Sequence, residues 1–247
     1  VVPVKVVQVD ACGLQCPGPI MKTAENIKSL QPGEQLKIMA SDPAFASDIK
    51  VWCERTGNRL LSVERDKHVY SALVERGPVP DDNASSIPAQ GGNDKTLVIF
   101  SGDLDKAIAA FIIANGAAAM GRKVTMFFTF WGINILRKNQ KISVKKNFVE
   151  SMFGFMMPRG SKKLGLSRMH MGGMGVKMIR GIMKDKNVSS LEELIQSAID
   201  NGVKVLACQM SMDLMGIKEE ELLDGVELAG VATFLGSAET SDTNLFI

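Results

Sequence analysis

Between Gly77 and Asp94 the chain loses all apolar periodicity. Gly77-Pro78-Val79-Pro80-Asp81-Asp82-Asn83-Ala84-Ser85-Ser86 is followed by Pro88 to Asn93, a stretch of turn and linker residues. No regular element runs through such a segment, so the sequence predicts two separately folded parts. We place a first domain at residues 1–77, a linker at 78–93 and a second domain at 94–247. Parts of roughly 80 and 150 residues can each bury a core of their own.

Each part has its own alternation. In the first, β-branched residues from Val4 to Val9 predict a strand at 4–10. Helical spacing of Ile20, Met21, Ala24 and Ile27 predicts a helix over 17–30, stopped by Pro32-Gly33. A strand over 34–40, a helix over 43–57 begun at Asp42-Pro43 and ended by Gly57-Asn58, and strands over 59–66 and 68–75 complete the order βαβαββ. Two helices on one face of a small sheet make a two-layer α+β sandwich. The second part predicts strands at 96–100, 123–128, 203–207, 226–228 and 244–247, with helices at 104–120, 191–201 and 231–238. Strands alternating with helices imply an α/β domain built on a mainly parallel sheet.

The first strand gives way to the first helix at Cys16-Pro17-Gly18-Pro19. Proline suits the first helical position, where its missing N–H costs nothing. Cys16 then falls at the helix N-cap, where unpaired N–H groups and the helix dipole favour a thiolate. The thiolate is the reactive form of cysteine. Ser, Asp or Asn would cap better, so the position reads as chosen for reactivity. Cys208 closes the strand Val203–Ala207, and ligands of open α/β sheets bind outside the carboxyl ends of strands. Composition alone leaves Cys208 divided between a packed thiol and a reactive one. Cys53, inside the second helix, reads as inert.

Other classes are excluded or disfavoured. Charge is nearly balanced, with 29 basic and 27 acidic residues, and gives no nucleic-acid signal. Four scattered cysteines do not make a disulfide framework, so a reducing, cytoplasmic setting is expected. There is no signal-peptide pattern, and an opening on Val1 suits a piece of a longer polypeptide. His68 and His170 are isolated, soft-metal binding by Met169-His170-Met171 and Met174 is disfavoured because thioethers need a preorganised site, and nucleotide-loop and hydrolase motifs are missing. Residues 137–186 stand apart, with 13 basic side chains against Glu150 and Asp185; residues 187–247 hold two basic against 11 acidic. Eleven of the 15 methionines fall between Met152 and Met215. A flexible excursion whose methionines fill apolar gaps, a lid, a partner-docking surface and a basic segment touching a membrane surface all stay open.

Asp10-Ala11-Cys12-Gly13-Leu14-Gln15-Cys16-Pro17-Gly18-Pro19-Ile20-Met21 resembles the signature of the TusA (SirA-like) family of sulfur carriers. The resemblance covers about 75 residues and implies that Cys16 carries sulfur as a persulfide, with Pro17, Gly18 and Pro19 as motif support. Cys12 departs from it, because most relatives are expected to hold an apolar residue there. It resolves a persulfide, forms a reversible bridge with Cys16, or simply fills a turn. The second part looks like the DsrE/DsrF-like family, through Lys95–Gly102, Gly116–Phe128 and Leu206–Gly216, and by that likeness Cys208 accepts sulfur.

The two resemblances together imply a sulfurtransferase-type persulfide carrier in intracellular sulfur trafficking. It would have no bound cofactor, because the sulfur is carried covalently. The donor would be a rhodanese or cysteine desulfurase, the acceptor a protein thiol, and the second domain would form homo-oligomers. FAD and CoA would enter only with an upstream reductase, if the chain is the sulfur-accepting end of a flavin-dependent disulfide or persulfide reductase fused to a rhodanese. A non-enzymatic docking module is the remaining alternative.

Overall fold

The structure, a computed structural model, describes residues 4–14, 18–78, 92–186 and 188–247. Cys16 and Pro17 lie outside the described residues, as does nearly all of the predicted linker. The chain divides into two compact units. One takes in the N-terminal residues to Gly92 together with Leu228–Thr240, and the other holds Asn93–Glu227 and Ser241–Ile247.

In the first unit, β1 (Val6–Asp10), α1 (Gly18–Ile27), β2 (Gln35–Ala40), α2 (Phe45–Thr56), β3 (Arg59–Asp66) and β4 (Val69–Glu75) follow the predicted order. The sheet runs β1-β2-β4-β3, with β1 parallel to β2 and the other neighbours antiparallel. Alternation in β2 sends Leu36, Ile38 and Ala40 inward, where they meet Ile27 of α1 and Phe45, Ile49 and Cys53 of α2. Gly57 ends α2 at φ +70°, a left-handed conformation that costs glycine little.

The second unit contains β5 (Asp94–Ile99), α3 (Leu104–Ala119), β6 (Val124–Phe128), α4 (Phe148–Met156), α5 (Met174–Asp185), α6 (Leu191–Asp200), β7 (Lys204–Cys208) and α7 (Gln209–Met215). After it come β8 (Val226–Ala229), α8 (Val231–Ala238) and β9 (Ser241–Phe246). The sheet order is β8-β7-β6-β5-β9, and β5 pairs in parallel with both β6 and β9, as β6 does with β7. Every residue of β6 is buried, as expected for an inner strand of a covered parallel sheet. Helix α8 counts with the first unit, where it packs on α2. The buried Asp48 carboxylate accepts from the backbone N–H of Gly230 and Thr233 there and caps the helix start.

Segment 137–186 corrects one expectation. Instead of a loose excursion it holds α4, α5 and two short 3₁₀ turns, at Ser161–Lys163 and Met171–Gly173. Asn147 and Glu150 form a reciprocal capping box that starts α4. Its methionines do not act mainly as gap fillers: Met157 is buried, but Met152, Met156, Met169, Met171, Met174 and Met178 are exposed. The lopsided charge is partly resolved in space. Arg137, Lys138, Lys146, Arg159 and Arg180 of the basic stretch pair with Glu221, Asp224 and Glu192 of the acidic one. Among the described residues no helix is long and apolar enough to cross a membrane.

Candidate functional site

The described chain brackets Cys16 closely. Ala11 donates from its N–H to the carbonyl of Met39 at 2.8 Å, and Gly13, at φ +80°, donates to Ser41 Oγ at 2.8 Å. These bonds fix the loop after β1 to the end of β2. On the other side α1 begins at Gly18, where an added Cβ would lie 3.0 Å from Leu14 Cβ. Pro19 is buried, and its carbonyl accepts from Thr23 Oγ1 at 2.8 Å. Leu14 and Gly18, which flank the thiol in sequence, therefore lie close together at the start of α1.

Cys12 is exposed on that loop. Its N–H donates to Asp10 Oδ1 at 2.8 Å. The slight burial it has, followed by the facing Asp10 carboxylate, pushes its thiol up. That bond in turn is the main cause that holds the Asp10 carboxyl down. Cys12 is thus reachable but disfavoured as a thiolate near neutral pH. Cys53 is buried in the first core, and burial pushes its thiol up to about 12.

Cys208 is the last residue of β7 and the N-cap of α7, with extended φ −68° and ψ 112°. It is only 5% exposed. The 3₁₀ turn Phe130–Leu136, following β6, packs on both β7 and α7, and Thr129 Oγ1 lies 2.9 Å from Ser211 Oγ across that contact. Beside the thiol, Gln209 donates to Asp213 Oδ1 at 3.0 Å, and burial pushes the Asp213 carboxyl up. The Oε1 atom of Gln209 is buried without a hydrogen-bond partner.

The open crevice lies elsewhere on the same sheet. Strand order reverses at β5, between β6 and β9, and ligands of open α/β sheets bind at such switch points. A cleft of about 350 Å³ sits there, lined by Phe100, Ser101, Asp103, Lys106 and Trp131 among others. Cys208 is not among its lining residues. Phe100 meets Phe130 in a tilted pair at 5.5 Å between ring centroids and stacks on Phe246 at 5.8 Å, which leaves an exposed aromatic rim. Phe130 holds φ +45°, a left-handed conformation that costs a non-glycine residue about 1–3 kcal/mol.

This turn and the buried charges below it escaped the sequence reading. Arg137 and Glu221, both 0% exposed, pair at 3.1 Å. The same carboxylate accepts from Lys146 Nζ, from Arg159 Nη1 at 2.9 Å and from the N–H of Lys218 at 3.0 Å. The one available signal was Phe130-Trp131-Gly132, aromatic residues and a glycine directly after a fully buried strand.

Comparison with known proteins decides the family. Residues 92–246, more than half of the chain, match the model of the DsrE/DsrF/DrsH-like family. The chain belongs to this family. Its N-terminal part, residues 7–76, matches sulfurtransferase TusA. The DsrE-like part is similar to YrkE of Bacillus subtilis, 59% identical over 152 residues that cover 62% of this chain and 95% of that protein. It is also similar to sulfur carrier protein DsrE2 of Allochromatium vinosum, 40% identical over 155 residues, covering 61% of this chain and 96% of the relative. The TusA part resembles the putative sulfur carrier protein YrkF of Bacillus subtilis, 39% identical over 80 residues, or 32% of this chain and 43% of the relative.

The described thiols of this DsrE-family chain should differ in reactivity. In the native state iodoacetamide should label Cys12 at a rate that rises with pH beyond the usual thiol range, Cys208 far more slowly and only through local opening, and Cys53 only after denaturation. Peptide mapping of the labelled chain checks this. Native labelling of Cys53 would contradict the packing of α2 on its sheet.

Proposed function

We propose that the chain traffics sulfur as a cysteine persulfide, held first on Cys16 and passed to Cys208. The observation that carries this reading is the placement of Cys208, at the carboxyl end of an inner strand of the DsrE-like sheet and directly before a helix. The TusA match over residues 7–76, a range that includes Cys16, supports a second carrier thiol in the same chain.

The transfer is an exchange without net redox change. The Cys208 thiolate attacks the outer sulfur of the Cys16 persulfide. The S–S bond of that persulfide breaks, a new S–S bond forms on Cys208, and Cys16 leaves as the thiolate with the electron pair. The proton given up by Cys208 goes to solvent. Because Cys208 is buried, attack requires local opening of the Phe130–Leu136 turn or α7 around it. Access, together with thiolate fraction, then sets the rate. The reading expects a persulfide-bearing donor of the rhodanese or cysteine desulfurase class, a protein thiol as acceptor, a cytoplasmic setting, and no bound cofactor. It also expects self-association through the DsrE-like part.

Mass spectrometry of the chain after loading with a persulfide donor tests it. One added sulfur atom should appear on both Cys16 and Cys208. Cys208→Ser should keep it on Cys16 alone, and Cys16→Ser should leave Cys208 unloaded. If Cys208 never gains sulfur while Cys16 does, the relay fails.

A further inference from the structure

A second cavity, of about 550 Å³, opens within the DsrE-like unit, apart from all three cysteines that the structure describes. Its polar lining is dominated by Lys141, Lys146, Arg159 and Lys163, with Glu221 as the one carboxylate among its lining residues. Glu221 is already shared: Lys146 and Arg159 both bond to it from the cavity side, and Arg137 meets it from the protein interior. Four cations therefore line a cavity whose single anion also serves a fifth.

Burial differs along the cavity. Lys146 and Arg159 are 9% and 16% exposed in their side chains and stand at the deep end beside Glu221. Lys141 and Lys163 are exposed and stand at the mouth, and neither is within ion-pair distance of a carboxylate among the described residues. Like charges crowded in a partly dry site repel each other. The Arg137 guanidinium shows it, being pushed down first by burial and also by the charge of Arg159, against the opposing pull of Glu221. A bound anion would relieve this repulsion, and guanidinium and ammonium groups together suit a tetrahedral oxyanion. The cavity exceeds the size of a bare oxyanion, and Ile142, Val144 and Met157 supply an apolar wall for an attached body, with Phe155 exposed at the rim.

We propose that this cavity is a binding site for a tetrahedral dianionic group, free as an inorganic oxyanion or carried as the head of an ester. The site is independent of sulfur transfer at Cys16 and Cys208, and its test is separate from theirs.

The test is isothermal titration of the full chain with thiosulfate, inorganic phosphate and glycerol phosphate, against sodium chloride at matched ionic strength. At least one of the three oxyanions should give saturable binding that chloride does not. Tighter binding of the ester than of either inorganic ion would identify an esterified ligand, and the reverse a free one. Lys141→Gln/Lys163→Gln, which changes only exposed cations, should weaken binding at least tenfold while leaving the melting temperature without anion unchanged. With the anion at about ten times its Kd, the parent chain should melt roughly 3–5 °C higher and the double variant should not. Identical results for the three oxyanions and chloride overturn the proposal. Undiminished binding by the double variant overturns it too.

Discussion

Replacing Glu221 by glutamine is expected to destabilise the DsrE-like unit by about 3–5 kcal/mol, the usual cost of removing one partner from a buried ion pair. The carboxylate is 0% exposed and is the common acceptor for Arg137, Lys146 and Arg159. An amide leaves these cations without a counter-charge. Arg137, itself fully buried with an unpartnered Nε, cannot turn to water for relief. Denaturant unfolding followed by far-UV circular dichroism measures the loss. Adding Arg137→Met to the variant should recover part of it, because one buried cation is then gone. A loss below about 1 kcal/mol would mean that the network is hydrated and open.

The same carboxylate gives a pH signature. Burial alone would push the Glu221 carboxyl up, but the bonds from Lys146 and the Lys218 N–H and the charge of Arg137 outweigh it and hold the group at about 2. Its folded pKa lies below the ordinary 4.5, so its contribution is fully present above about pH 4.5. It is lost as pH falls towards about 2. The parent should lose stability across that window, and Glu221→Gln should lose less.

Gly132→Ala should be comparably severe for a steric reason. An added Cβ would lie 2.2 Å from the carbonyl oxygen of Ile99 and 2.9 Å from its carbon, both backbone atoms at the end of β5. That oxygen already accepts from Thr129 N–H at 3.0 Å, and Gly132 N–H donates to Phe100 at 2.9 Å, so neither strand end can yield cheaply. A loss of about 3 kcal/mol is expected, at the upper end for overpacking. Gly116→Ala gives the contrast. It lies within α3 with no atom beyond its own helical turn within 4 Å of the added Cβ, and should gain about 0.5–1 kcal/mol from helix propensity. Melting curves of the two variants should therefore move in opposite directions. Domains of this size shift by about 2–4 °C per kcal/mol, so a Gly132→Ala variant melting within about 1 °C of the parent would refute the close approach.

Elements bounded by strong punctuation were legible in the chain. Pro32-Gly33, Asp42-Pro43 and Gly57-Asn58 fence α1 and α2 to within a few residues of their observed ends, and the apolar runs Leu97-Val98-Ile99 of β5 and Val205-Leu206-Ala207 of β7 stand out because inner parallel strands are buried on both faces. Helix α8 was read at its observed residues, Val231–Ala238, but its place against α2 depends on Asp48 reaching a helix start 185 positions away, which periodicity does not encode. Helix α4 went unread although Asn147 and Glu150 form a capping-box spacing, because Gly154 and the surrounding basic residues hid its short apolar run. The packed state of Cys208, one of two readings the sequence left open, is what the structure shows, but the Phe130–Leu136 turn that covers it has neither helix nor strand period and was not legible.

The charge segregation also has a temporal side. Arg137 and Glu221 stand 84 positions apart, and the ribosome adds roughly 5–20 residues per second. For roughly 4–17 s of synthesis Arg137 exists before its counter-ion has been made. Arg137, bound for a dry interior, stays in water for that interval, because burial without Glu221 would be prohibitive. Closure of the DsrE-like core is thereby deferred until its acidic stretch has been made.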